Sequence, residues 1–354
     1  MNAGSICAAG HVHFVGSVPL ADATAVMSTL GRNFGAALRR IPDGETGERT
    51  NWLQFQEGVF ERMPELEKVE GDFDWRNPTA KKAASAQFRL RPGASIKASS
   101  FGALGFAHSA IASWADFKAL RAAGAIEPGV RFMVALPSPY NVISWGIAPD
   151  SRVAVEIAYE ARVLEELAEI CAAVPHADLS IQWDCAHDMQ AYDGARTPWF
   201  TPAREGIVDR LVRLGNRVPA AVELGYHLCY GSFGGRHFVE PKDAGAMTDL
   251  TNGLMARIGR SVQFMHMPVP AERDDDAFYA PLSGLKLRPE TELYLGLVHD
   301  TDGTEGTLRR IATARRHVND FGVATECGFG RRPAESVPAL IDLHTKILSR
   351  TRQG

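Results

Sequence analysis

Short apolar runs recur along the chain, and most of them are separated by segments with the spacing of amphipathic helices. This alternation predicts parallel strands joined by helices, since each helix returns the chain to the same edge of the sheet. The runs lie at 11–19, 40–49, 132–139, 179–185, 221–230, 261–267, 292–299 and 322–327. Eight such runs predict an α/β fold, namely one (β/α)8 TIM barrel that occupies residues 1–354 as a single domain.

Polar side chains that could do chemistry lie towards the carboxyl ends of these runs. In a (β/α)8 barrel those ends form one face, where the active site is built. An open doubly wound sheet also alternates strands and helices, but its chemistry collects at the crevice where strand order reverses. The residues concerned are Ser17, Glu45, Asp184, His227, Cys229, His266, His299 and Cys327. Contributions from so many strand ends favour the closed barrel.

The stretch at about 50–130, between the second and third predicted strands, lacks this rhythm. Residues 87–97 predict a hairpin around Pro92-Gly93, and residues 110–123 predict a helix. We expect this stretch to be an insertion over the mouth of the barrel.

The composition is that of a globular protein, with 45% apolar and 23% charged residues. The sequence has no run of 18 apolar residues and no charged-apolar-small leader, so we expect no membrane segment and a cytoplasmic location. The net charge is −4 and the basic residues are scattered, which argues against a nucleic-acid partner. A small neutral or zwitterionic substrate is therefore expected, while the oligomeric state stays open.

The five cysteines are widely spaced, which predicts free thiols or metal ligands and not disulfides. His227 and Cys229 are two positions apart, so on a strand they face the same side and could bind one metal ion. Cys327 and His266 end two other runs and complete a Cys2His2 set for Zn²⁺ if the three strands are neighbours. Alternatively, these side chains are ordinary buried core residues.

Three segments resemble motifs of a known enzyme family. Residues 227–230 (His-Leu-Cys-Tyr) are similar to the His-Met-Cys-Tyr zinc pair of cobalamin-independent methionine synthase, and residues 326–328 (Glu-Cys-Gly) to its Asp-Cys-Gly zinc cysteine. Residues 15–19 (Val-Gly-Ser-Val-Pro) resemble its Gly-Ser-Phe-Pro turn. The resemblance is to the catalytic C-terminal barrel, in the larger group that also holds uroporphyrinogen decarboxylase and the epoxyalkane:coenzyme M transferases.

The resemblance implies roles for individual residues. Ser17 would bind the carboxylate of a homocysteine-like thiol, while Glu45 and Asp184 would bind its ammonium group. Trp145 would stack on a folate pterin, and His299 would act with Asp184 as a catalytic residue beside the reacting groups. The family has a glutamate as fourth zinc ligand where His266 stands here. Each of these side chains could instead have a capping, solvated or packing role.

A zinc-dependent methyl or alkyl transferase, which activates a small thiol as a zinc thiolate, is therefore the expected function. The sequence does not distinguish four classes of methyl or alkyl donor. These are a folate, a methylated corrinoid protein, a methoxylated small molecule (in which case the enzyme is a demethylase) and an epoxide. An amidohydrolase-type metal hydrolase would use His11 and His13 with His227 and His266. However, His11 and His13 lie early in their run, and the cysteines would then be unexplained. A metal-free decarboxylase (a lyase) and a non-catalytic binding protein are the remaining alternatives.

Overall fold

The computed structural model describes residues 10–70, 86–233 and 236–353. These residues contain eleven strands, which are β1 (Arg40–Pro42), β2 (Leu66–Glu70), β3 (Ala86–Leu90), β4 (Arg131–Pro137), β5 (Leu179–Cys185), β6 (Glu223–Leu228), β7 (Ser232–Phe233), β8 (Arg236–His237), β9 (Phe264–Pro268), β10 (Glu292–Gly296) and β11 (Gly322–Val323). Seven of them form one curled parallel sheet in the order β1, β4, β5, β6, β9, β10, β11. These seven lie in seven of the eight predicted runs.

Helices connect most of the sheet strands, as the alternation predicts. Within the described part of the chain the α-helices are α1 (Ala23–Phe34), α2 (Glu57–Glu61), α3 (Phe106–Ala122), α4 (Pro139–Gly146), α5 (Arg152–Ala173), α6 (Ala186–Tyr192), α7 (Ala203–Arg217), α8 (Gly245–Arg257), α9 (Asp276–Tyr279), α10 (Gly303–Ala314) and α11 (Val337–Gln353). None of these helices combines the length and apolar character that crossing a membrane would require.

The sheet strands form the centre of the core. All residues of β5 and β9 are buried, which is typical of parallel strands that are covered on both faces. Among the covering helices, α1 begins at a capped end, where the Asp22 side chain accepts a hydrogen bond from Ala25 N at 2.7 Å. The buried strands therefore give the site a rigid base, and polar residues at their ends can be held in fixed positions.

The first predicted strand, at 11–19, is not a regular strand in the structure. Val12 makes single parallel bridges to Leu38 before β1 and to Val323 in β11, so this segment contacts both edges of the sheet. His13 N still donates to the Val323 carbonyl at 3.0 Å, but beyond His13 the backbone groups bond to other partners. Val18 N donates to Gly44 O, and the Val15 carbonyl accepts from the side chain of Gln182. The structure therefore shows a seven-stranded curled sheet where eight regular strands are predicted.

The insertion differs from the prediction in its strand pairing. β3 pairs antiparallel with β2 over five residue pairs, so the predicted hairpin around Pro92-Gly93 is wrong. The predicted helix is confirmed as α3. The insertion is fastened to α5 by the Glu166 carboxylate, which accepts hydrogen bonds from the backbone N–H groups of Leu104, Gly105 and Ala107. Residues 71–85 of the predicted insertion lie outside the described residues.

Candidate metal centre and substrate cavity

Three ligand-type side chains converge at one end of the curled sheet. His227 lies on β6, Cys229 follows that strand directly, and Cys327 follows β11. Their potential ligand atoms all lie within 4.8 Å of one another. Since β9 and β10 separate β6 from β11 in the sheet, it is the curl of the sheet that brings the two cysteines together.

The spacing of these atoms fits a tetrahedral zinc site. Zn–S bonds of about 2.3 Å and Zn–N bonds of about 2.0 Å place neighbouring ligands about 3.8 Å (S–S) and about 3.5 Å (S–N) apart at a tetrahedral centre. The Sγ atoms of Cys229 and Cys327 are 3.8 Å apart, and Cys327 Sγ is 3.7 Å from His227 Nε2. These residues could hold Zn²⁺ through two sulfurs and one nitrogen, a ligand set known from catalytic zinc sites with an open fourth position.

The two thiols differ in their readiness to lose a proton. Cys229 Sγ donates a hydrogen bond to Cys327 Sγ and accepts one from Gly231 N at 3.2 Å. The bond from Cys229 lowers the pKa of the Cys327 thiol, and the guanidinium of Arg331 lowers it further. The same bond, together with burial, raises the pKa of Cys229. Cys327 is therefore the first of the two to become a thiolate.

His266 lies behind His227 and not beside the cysteines. Its Nδ1 atom is 2.7 Å from His227 Nδ1, and its Nε2 atom is 3.0 Å from the Thr325 carbonyl oxygen. Both ring nitrogens of His266 are thus engaged, and it is not part of the group within 4.8 Å. Burial lowers the pKa of His266 to about 3, so the imidazole is neutral. The geometry does not place His266 as the predicted fourth ligand.

A small cavity of about 30 Å³ lies in front of the three ligand-type residues. One water molecule needs roughly 10–15 Å³, so the cavity has room for about two water molecules. Besides the three ligand-type residues, its polar lining consists of Ser17, Glu45, Trp52, Asp184 and Arg331. A larger groove of about 890 Å³ lies between residues 46–62 and 103–113. It shares no lining residue with the small cavity. An organic substrate would therefore need the lining of the small cavity to move.

Two buried carboxyls, those of Glu45 and Asp184, face this cavity. Burial, followed by the proximity of Asp184, raises the pKa of Glu45 to about 8. Burial likewise raises the pKa of Asp184 well above its usual value, although Gln182 Nε2 donates to Asp184 Oδ1 at 2.8 Å. A cationic group between the carboxyls would favour their charged forms. The pair is therefore suited to binding an ammonium group.

Glu45 reaches the cavity from a tight turn. Its backbone φ is +48°, and that of the preceding Gly44 is +82°. The turn is held by Asp43, which accepts hydrogen bonds from Glu45 N at 2.9 Å and from Arg49 at 2.7 Å. A Cβ at Gly16 would lie only 2.6 Å from Glu45 Oε1. The close approach of this carboxyl to the 15–18 segment thus requires glycine at position 16.

Ser17 lines the cavity on the side of the Cys327 loop. Its Oγ accepts a hydrogen bond from Gly330 N at 3.2 Å, and its carbonyl accepts one from Phe329 N at 2.7 Å. The structure therefore brings Ser17, Glu45 and Asp184 to the same cavity as the cysteines. Their roles in binding a head group stay predictions.

Trp145 lies in α4, where it is buried, and it does not line the cavity. Trp52 lines the cavity instead, and its side chain hydrogen-bonds to Asp184. Trp52 lies in an irregular segment, so no sequence pattern indicates its position. Arg331 is a second lining residue that the motifs miss. Its position four residues after Cys327 could have indicated that it lies near the site.

His299 is buried close to the site but is turned away from the cavity. Its Nε2 donates to the Val269 carbonyl at 2.8 Å, and its Nδ1 is 3.6 Å from Glu326 Oε2. Burial lowers the pKa of His299 despite the nearby Glu326 carboxylate. His299 is therefore not among the residues that line the cavity, and its role as a general acid stays a prediction.

The alternative hydrolase ligands are not assembled. His11 Nε2 is 3.2 Å from Arg39, whose guanidinium contacts Glu292 at the beginning of β10, which is the opposite end of the sheet. His13 Nε2 donates to Gln182 Oε1 at 2.8 Å, and its ring centroid is 5.8 Å from that of His266. Neither histidine is part of the group within 4.8 Å.

Comparisons with known proteins agree with this architecture. No protein-family model matches the sequence, and no curated protein matches it. The chain is similar to the structure of a B12-independent methionine synthase from Shewanella sp. W3-18-1 in complex with selenomethionine. The TM-score is 0.61 and the identity 14%, over 97% of this chain and 98% of that chain.

The fold is that of the B12-independent methionine synthase chains. A second similar structure is a proposed vitamin-B12-independent methionine synthase from Listeria monocytogenes, with a TM-score of 0.55 and 13% identity over 99% of this chain and 98% of that chain. At these low identities the TM-scores show a shared fold alone, so the activity has to be argued from the site itself.

Proposed function

We propose that the protein is a zinc-dependent methyl or alkyl transferase that acts on a small, homocysteine-like thiol. The proposal rests on His227, Cys229 and Cys327, which have the spacing of a tetrahedral zinc site with one position open. A zinc ion held there would lower the pKa of an incoming thiol, so that a nucleophile is available at neutral pH. The fold shared with methionine synthase chains supports methyl transfer as the type of reaction.

The cavity lining supports recognition of an amino-acid-like head group. Glu45 and Asp184 would bind an ammonium group, since its positive charge offsets the cost of their burial. Ser17 and Arg331 would bind a carboxylate from the other side of the cavity. Arg331 is held in place by its Nε–H, which donates to the Ser232 carbonyl at 2.5 Å. This leaves the rest of its guanidinium fork for an anionic group.

One of the two carboxyls would also supply a proton. If Glu45 is the member that ionises beside the ammonium group, its negative charge opposes the ionisation of Asp184. Asp184 is the better candidate for the proton donor, because burial and the nearby Cys327 both raise its pKa. It would protonate the leaving group as the methyl or alkyl group moves to sulfur. The proposal assigns this step to Asp184 and not to His299, whose ring nitrogens contact the Val269 carbonyl and the Glu326 carboxylate.

The proposal includes a closed barrel. The bridges from Val12 to Leu38 and to Val323 support closure of the seven-stranded sheet through the 11–19 segment. Closure would turn the strand ends that carry Ser17, Asp184 and His227 towards one axis.

The methyl or alkyl donor is tested directly with a panel. Zinc-loaded protein is incubated with small thiols and, in turn, a methylated folate, a methylated corrinoid protein, a methoxylated aromatic and an epoxide. Mass spectrometry should detect a thioether with one donor, and Cys327→Ser should reduce its formation by about 100-fold or more. Cys171→Ser, which changes a thiol outside the site, should leave it unchanged. Absence of thioether with every pair would contradict the proposal.

A further inference from the structure

Three groups form a continuous line that ends at the cysteines. His266 Nε2 is 3.0 Å from the Thr325 carbonyl oxygen, and His266 Nδ1 is 2.7 Å from His227 Nδ1. The opposite nitrogen of the second ring, His227 Nε2, is 3.7 Å from Cys327 Sγ. Thr325, His266 and His227 are all buried, so water does not compete for these contacts.

The positions of the protons follow from the chemistry of the partners. A carbonyl oxygen only accepts hydrogen bonds, so the proton between Thr325 and His266 is on His266 Nε2. A neutral imidazole carries one proton, which makes His266 Nδ1 an acceptor. The proton of the contact between the two rings then comes from His227 Nδ1. His227 Nε2 is left with a free lone pair that faces Cys327.

The opposite arrangement would block a metal ligand. If His266 carried two protons, its Nδ1–H would donate to His227, and a neutral His227 would hold its own proton on Nε2. A buried imidazolium needs an anionic partner. Across the described residues, no carboxylate forms an ion pair with His266 within 4.0 Å, so the neutral arrangement is favoured.

The two rings meet because of the strand register. His227 on β6 and His266 on β9 are direct partners in the parallel ladder, so their side chains leave the sheet on the same side. The ring centroids are 4.7 Å apart. Thr325 is on the same loop as Cys327, and its Oγ1 donates to the Cys327 carbonyl at 2.6 Å. One loop therefore holds both the start of the hydrogen-bonded line and a sulfur ligand.

We propose that His266 is a positioning residue that fixes His227 as the Nδ1–H tautomer, so that His227 offers Nε2 to the metal and the fourth position stays open. This inference rests on the metal site of the proposed function. A carbonyl or carboxylate that accepts from the far nitrogen of a histidine ligand orients the ring and raises its basicity. Here a neutral imidazole does this, and the backbone carbonyl of Thr325 fixes that imidazole in turn.

The tautomers can be observed without metal or substrate. In metal-free protein labelled with ¹⁵N-histidine, long-range ¹H–¹⁵N spectra distinguish a protonated ring nitrogen from a bare one. Assignment by single His→Gln variants should give His227 protonated at Nδ1 alone and His266 protonated at Nε2 alone. A proton on His227 Nε2, or two protons on His266 at neutral pH, would overturn the inference even if the protein proves to be a transferase.

Substitution of His266 separates a positioning residue from a ligand. His266→Phe removes the acceptor for His227, so the affinity for Zn²⁺ should fall by about 10- to 100-fold. X-ray absorption of the zinc-loaded variant should still show the wild-type number of nitrogen ligands, whereas a ligand role predicts the loss of one. His266→Gln, whose amide can accept from His227 and donate to Thr325, should restore part of the affinity.

A matched control is available in His344, a second fully buried histidine whose Nδ1 is 2.7 Å from the Leu340 carbonyl. His344→Phe should leave the affinity for Zn²⁺ unchanged. Wild-type zinc affinity in folded His266→Phe would overturn the inference. If that variant does not fold, then zinc affinity in His266→Gln equal to that of His266→Ala would overturn it as well.

Discussion

Glu45 and Asp184 are the residues whose protonation most affects the cavity. Burial favours the neutral form of each, and it raises the pKa of Glu45 to about 8. In the unfolded chain a glutamate loses its proton near pH 4.3, to within roughly one unit. Between about pH 4.3 and pH 8 the folded chain therefore binds more protons at Glu45 than the unfolded chain does. The free energy of unfolding should fall as the pH rises through this window.

Replacement of Glu45 by Gln tests this linkage. The amide keeps the shape of the side chain but does not ionise, so Glu45→Gln should gain stability relative to wild type as the pH rises. Urea unfolding of the metal-free proteins at about pH 5 and pH 8 should show a relative gain of about 1–4 kcal/mol. Glu48→Gln, at an exposed position on the same segment, is the control and should show none. A difference that is the same at both pH values would contradict the assignment.

The ligand residues show which contacts the alternation of side chains along a strand can predict and which it cannot. His227 and Cys229 face the same side because alternate strand positions do so, and this needs no tertiary information. The position of Cys327 near them follows once the sheet curls. Whether His266 contacts a metal ion or a neighbouring ring depends on shifts of a few Å between β6 and β9, which the spacing of residues in the sequence does not specify.

At the scale of elements, the segment 43–56 covers the cavity. It carries two non-glycine residues with positive φ, Glu45 at +48° and Trp52 at +54°, and each such conformation costs about 1–3 kcal/mol. Tertiary contacts hold the segment: Ser113 donates to Asp43 at 2.8 Å, and the Gln56 side chain donates to the Leu104 carbonyl at 2.9 Å. Movement of this segment would enlarge the small cavity, because Glu45 and Trp52 line it.

Trp52→Ala should open the cavity. The change removes a side chain that lines the cavity and hydrogen-bonds to Asp184, so zinc should be transferred to a chelator about tenfold faster or more. The rate can be followed with a chromogenic chelator. Trp145→Phe, in buried α4, should leave this rate unchanged because Trp145 does not line the cavity. Equal rates for wild type and Trp52→Ala would show that Trp52 does not cover the site.

The elements that were hardest to predict are those without a repeating period. Apolar runs such as 179–185 and 261–267 predicted strands because burial on both faces leaves a recognisable composition. Pro92-Gly93 resembles a hairpin turn, yet β3 pairs with β2, and no local signal specifies that partner. In the 11–19 run, Val12 makes the bridges to neighbouring chain segments, whereas the later backbone groups of Val15 and Val18 bond to Gln182 and Gly44.

At the scale of the whole molecule, Arg40 links distant strands of the curled sheet. Its guanidinium on β1 contacts Glu223 on β6 at 3.1 Å and Glu292 on β10 at 3.0 Å. It also lies over the Phe264 ring of β9, 4.1 Å from the centroid. The Arg40 side chain is 3% exposed, so its charge depends on these carboxylates for compensation. The same contacts hold the sheet in the curl that brings Cys229 and Cys327 together.

Arg40→Met should therefore destabilise the fold more than the neighbouring Arg39→Met. Removal of one member of a buried ion pair costs about 3 kcal/mol or more, because the partner charges lose their compensation. Arg39 is 52% exposed and contacts Glu292 at 3.4 Å, so its loss should cost less than about 1 kcal/mol. Urea unfolding of both variants measures the difference. Equal stability losses would show that Arg40 does not hold the curl.

The coordination shell of zinc tests the central claim most directly. X-ray absorption on the zinc-loaded protein should show two sulfur ligands and at least one histidine nitrogen, as the group of Cys229, Cys327 and His227 predicts. Addition of homocysteine should raise the sulfur count to three, because the open position accepts the substrate thiol. A shell of oxygen and nitrogen alone, or a sulfur count that no small thiol changes, would contradict the account.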